Sequence, residues 1–67
     1  MIQTDRYKKV LQLAEEESNE MGNNHLGTEH ILFALARHGT GQAILILKEL
    51  GIELDYDKIK LKWKEMQ

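Results

Sequence analysis

Apolar residues along the chain fall into four clusters, and glycines separate them. In the first cluster Tyr7, Val10, Leu11, Ala14, Ser18 and Met21 recur at three- and four-residue spacings. That spacing predicts a helix from about Asp5 to Met21 with one buried stripe. Thr4 stands just before it as an N-cap, where a hydroxyl can accept from a first-turn amide. Gly22 and Gly27 then bracket a loop, because glycine supplies the positive φ that turns and helix ends require. The second cluster, Ile31 to Ala36, is apolar on nearly all sides and predicts the central helix, from Thr28 to Arg37. Thr28 is its cap candidate, and Glu29 in the first turn suits the positive end of the helix dipole.

The third cluster, Ala43-Ile44-Leu45-Ile46-Leu47, has by itself the look of a buried strand. Its surroundings favour a helix over Gln42 to Leu50: Thr40 in the Gly39–Gly41 turn can cap it, and Gly51 can end it. The fourth, Asp55 to about Met66, is two-faced. Lys58 to Lys64 alternates charged and apolar residues as a strand would. Tyr56, Ile59, Trp63 and Met66 also form a helical stripe behind Asp55 as a cap. A lone strand has no partner in an otherwise helical chain, so the helix is preferred. The expected fold class is all-α, with four to five short helices in one domain spanning residues 1–67.

Composition narrows the function classes. A chain of 67 residues buries only about 60% of the surface its unfolded form exposes, which leaves a small core. The absence of cysteine removes disulfides and thiolate metal sites, and fits a reducing cytoplasm. No signal-peptide layout opens the sequence, and the run Ala43–Leu47 is far below bilayer-spanning length. The expectation is a soluble, cytoplasmic protein with no membrane partner. A net charge of −2, with no helix carrying a basic face, argues against nucleic acid. The charges are unevenly placed, with Glu15, Glu16, Glu17 and Glu20 in one block and Lys58, Lys60, Lys62 and Lys64 in another. Such blocks are ordinarily solvated faces; the alternative is that they meet within the chain or between chains.

The segment Asn23-Asn24-His25-Leu26-Gly27-Thr28-Glu29-His30-Ile31-Leu32 resembles the signature of the N-terminal repeat of the Clp unfoldases. Val10 to Ala14, Arg37 to Ala43 and Leu47 to Ile52 resemble the flanking parts of that repeat, so the likeness runs from about Thr4 to Ile59. The resemblance implies a four-helix repeat, present in the family as a tandem pair about a pseudo-twofold axis ahead of the ATPase modules. It implies a non-catalytic domain that receives adaptors and substrates. In the ClpC branch it also implies binding of phosphorylated arginine, through positions that correspond here to Glu29 and Thr4.

This chain has a single repeat and no phosphate loop, so ATPase activity is not expected in it. Leu45 and Ile46 add apolar bulk where the family often carries charged or small residues. A homodimer is therefore expected, a second copy standing in for the tandem repeat. No cofactor is expected.

Glu29 is the leading site candidate. Its plain role is to complement a helix N-terminus; its ligand role is to pair with a guanidinium while a nearby helix start and the Thr4 hydroxyl hold phosphate. His25, Glu29 and His30 invite a metal reading, that of a small metal hydrolase, but their spacing misses the zincin patterns, and consecutive Glu29 and His30 diverge on a helix. His30 reads instead as a ring bonded to a loop carbonyl, holding the 23–27 turn. Ser18, Thr28 and Thr40 have no base beside them, Gly39-Thr40-Gly41 is a turn, and Trp63 reads as packing. The competing reading is a dimeric structural or regulatory protein of the same fold without a ligand site.

Overall fold

The computed structural model describes residues 2–67, which form four helices: α1 (Asp5–Glu20), α2 (Thr28–His38), α3 (Gln42–Glu49) and α4 (Tyr56–Glu65). Among the described residues there is no strand, and the Lys58-to-Lys64 alternation lies within α4. The fold is all-α. No helix is long and apolar enough to cross a membrane.

Local chemistry sets the boundaries. The Thr4 hydroxyl accepts from the Tyr7 amide at 3.1 Å, and the Asp55 carboxylate accepts from the Lys58 amide at 3.1 Å, so α1 and α4 carry the expected side-chain caps. α1 closes through Gly22, whose φ of +73° lets the Asn23 amide reach back to the Ser18 carbonyl at 2.9 Å. Gly51 closes α3 in the same way, with the Ile52 amide on the Leu47 carbonyl at 2.8 Å. The two expected threonine caps are not formed. Gly27 is the N-cap of α2 and Gly41 that of α3, while the Thr40 hydroxyl pairs with Nδ1 of His38 at 2.9 Å.

The molecule measures 30 × 29 × 15 Å, so its thin dimension is little more than one helix across. α1 and α2 pack through Val10, Leu13, Ala14 and Ala34, with Ile31 and Leu35 alongside. The buried stripe of α1 is Val10, Leu13, Ala14, Glu17 and Ser18, rotated from the apolar stripe of the sequence. Tyr7 is exposed and Leu11 only half-buried, because the inward face continues through a carboxylate where the pattern showed only polarity. α3 buries Ile44 alone, leaving Leu45, Ile46 and Leu50 more than half exposed. α4 buries no residue completely and leans on α2.

Candidate functional site

Three features stand out: the loop before α2, a groove beside α1, and a buried carboxylate. The loop is organised by His30, fully buried at the third position of α2. Its Nδ1 accepts from the Gly27 amide at 2.8 Å, and its Nε2 lies 2.9 Å from the Asn23 side-chain amide. A neutral imidazole that accepts at Nδ1 carries its proton on Nε2, so this contact with Asn23 Nδ2 becomes a hydrogen bond when the carboxamide turns over to present its oxygen. His30 thus plays the part a Glu or Gln takes in a capping box, reaching back to the N-cap amide. The expected loop carbonyl is replaced by a loop amide and a side chain, but the turn is held as expected. Ser18 completes it by donating to the His25 carbonyl at 2.6 Å.

Glu29 lies at the rim of this loop with a side chain 33% exposed. Its carboxylate folds back over Gly27, where an added Cβ would fall 2.0 Å from Oε1 and oblige the flexible Glu29 side chain to swing aside. Oε1 is 3.8 Å from His30 Nδ1, but Nδ1 is already an acceptor, so this is proximity and not an ion pair. With both ring nitrogens committed, His30 has no lone pair for a metal, and no group of three potential ligands exists among the described residues.

Thr4 sits elsewhere. It borders an open groove of about 780 Å³ between the starts of α1 and α3 and the middle of α2. Tyr7, Val10, Leu11, Ile31 and Leu35 make its floor apolar, with Asp5 and Arg6 at the rim. Thr4 and Glu29 share no hydrogen bond, and Glu29 does not line the groove.

The third feature escaped the sequence reading. Glu17 is fully buried and accepts from Tyr56 Oη and, at 3.2 Å, from Arg37 Nη1 on one oxygen, and from Lys60 Nζ at 2.9 Å on the other. Burial pushes its carboxyl up, but the bonds from Tyr56, Lys60 and Arg37 outweigh that and hold it below the ordinary carboxylate range. Burial lowers Lys60, and its contact with Glu17 more than restores it, leaving the ammonium above its usual value. Tyr56 is raised by burial and by the neighbouring carboxylate. One pair from the acidic and basic blocks therefore meets inside the chain, while Lys62 pairs only with Glu65 of its own helix. The sole clue in the sequence was the position of Glu17, three residues after Ala14 on the inward face of α1.

These features define a class, a small all-α unit of four helices with an apolar groove beside α1. The comparisons with known proteins agree with that class. The profile of the Clp repeat (R) N-terminal domain matches residues 3–66, and the chain belongs to that family. A "Probable ATP-dependent Clp protease ATP-binding subunit" of Chlamydia pneumoniae is 46% identical over 52 residues, 78% of this chain and 6% of that protein. The chaperone protein ClpB of Oceanobacillus iheyensis and the "Negative regulator of genetic competence ClpC/MecB" of Bacillus subtilis are each 44% identical over 52 residues, with the same coverage. This chain thus corresponds to a small N-terminal part of those relatives. In such AAA+ proteins the domain is non-catalytic, the ATPase activity lying elsewhere, and it serves protein interaction.

Proposed function

We propose that this domain recognises an adaptor or substrate of Clp-type protein quality control, and that a phosphoarginine side chain is one mark it reads. The observation that carries the reading is the match across residues 3–66, which includes the Gly27-Thr28-Glu29-His30 segment. The chemistry of each candidate is compatible with it; the two share no groove within one chain, so a single phosphoarginine would meet both only across two copies. Glu29 makes no hydrogen bond among the described residues, and its partly exposed carboxylate suits the fork of a guanidinium. Thr4 accepts from Tyr7 yet keeps its own O–H to donate, beside the unpaired first amides of α1, a combination suited to phosphate oxygens.

The test is a backbone-amide NMR titration with free phosphoarginine, with arginine and phosphoserine as controls. Saturable shifts at Thr4, Asp5, Glu29 and His30, seen only with phosphoarginine and lost in Glu29→Ala, are the expected result. Unchanged affinity in Glu29→Ala removes that residue from the site. No selective shift with any of the three leaves protein docking without a phosphoarginine site.

A second reading, a homodimer, rests on exposed surface. A monomeric chain of this mass settles to about 4,400 Å² of accessible surface by the usual scaling. This one exposes 5225 Å². The excess is close to the roughly 800 Å² that one partner contributes to a standard interface. Tyr7, Leu45, Ile46 and Leu50, with the groove, supply the apolar part of it.

A further inference from the structure

We propose that α4 is a strap that releases from the α1–α2 pair as a unit, and that the Glu17 carboxylate is the catch that holds it closed. The inward face of α4 consists of Tyr56, Ile59, Lys60 and Trp63, at three- and four-residue spacings. Tyr56 and Lys60 both end on Glu17 of α1. The Lys60 ammonium also lies 5.1 Å from the Phe33 ring centre and 5.5 Å from that of Tyr56, while Trp63 meets Phe33 edge-on at 6.0 Å. Ile59 adds a half-buried apolar side chain, while Leu61, 58% exposed, and Met66, 75% exposed, contribute little. Docking therefore depends on one polar knot and a short apolar edge formed by Trp63 and Ile59.

Both sides of the joint permit local opening. The α1–α2 core of Val10, Leu13, Ala14 and Ala34 includes nothing from α4. Gly51, with a φ of +75°, begins the segment leading to α4, and α3 before it fully buries Ile44 alone, with Leu47 half-buried. Opening does not strand the carboxylate either. Arg37 of α2 remains on Glu17, and Glu16 of α1 lies 3.8 Å from the same guanidinium, so the buried charge keeps a counterion after Tyr56 and Lys60 depart. Release uncovers Phe33, 1% exposed when closed, beside a freed carboxylate oxygen. That surface is apolar and acidic, suited to a segment presenting a cation next to an aromatic ring, as α4 itself does with Lys60 and Trp63.

The test is native-state hydrogen exchange of the full chain at one pH, comparing amides 60–65 of α4 with amides 10–17 and 32–37 of α1 and α2. Tyr56→Phe removes only the phenolic donor, and Lys60→Met keeps the stem without the charge. Each is expected to accelerate exchange in α4 roughly tenfold to a hundredfold, as loss of a hydrogen bond to a charged group does, with α1 and α2 changing by less than about twofold. Equal acceleration in all three helices overturns the proposal, because α4 then leaves only when the whole domain unfolds. Unchanged exchange in α4 overturns it as well, because Glu17 is then not what holds the helix.

Discussion

His30 provides the sharpest test of how this small domain is held together. Replacing it with alanine removes a fully buried ring that meets Phe33 and His25 edge-on, and leaves the Gly27 amide without its acceptor. Loss of a buried aromatic ring costs about 3 kcal/mol at the low end of the measured range. An unsatisfied buried amide adds about 1–3 kcal/mol, less if water enters to replace the ring. The sum, about 4–6 kcal/mol, stands against a total stability of roughly 3–10 kcal/mol for a chain of this length. His30→Ala is therefore expected to be largely unfolded, or close to it, at room temperature. His30→Gln separates the two contributions, since a glutamine oxygen at the third helical position can reach back to the N-cap amide in the usual capping-box manner. Its expected cost is only about 1–2 kcal/mol, mainly lost packing. Urea titration followed by circular dichroism at 222 nm measures both variants. If His30→Gln proves no more stable than His30→Ala, the bond to Gly27 does not organise the loop; a cost below about 1 kcal/mol for His30→Ala refutes the packing argument too.

Two further outcomes follow from charge and surface. Folding holds Glu17 below its ordinary value, so its contribution is complete above the normal carboxylate range and is lost as pH falls through the depressed folded value. Urea midpoints should fall across that acid window and stay flat above it, and Tyr56→Phe should shrink the acid-dependent loss; an identical acid limb in wild type and variant would contradict the assignment. Sedimentation velocity should show a dimer that Ile46→Glu converts to monomer, whereas a stable wild-type monomer at tens of micromolar rules the pairing out.

The four helices were legible because glycine marks every break and each cluster has helical spacing or a cap beside it. The orientation of α1 was not. An apolar stripe finds the inward face only when that face is apolar, and here one of its five buried residues is a glutamate. In a run of three glutamates only its spacing from Ala14 sets Glu17 apart from Glu15 and Glu16, until Arg37, Tyr56 and Lys60 arrive from distances of 20 to 43 residues. The same blindness hid the groove. Tyr7 and Leu11, assigned inward by their spacing, line the open groove that Thr4 borders, and Leu13 takes the core position between them and Glu17. Spending a carboxylate on the interior thus has a consequence at the surface: with Glu17 inward, Tyr7 and half-buried Leu11 face the groove, while Leu45 and Ile46 of α3 are exposed as well. The polar knot that fastens α4 and the apolar groove offered to a partner are therefore two results of one rotation of α1. A variant that replaced Glu17 by a neutral residue would be expected to alter the groove as well as the strap.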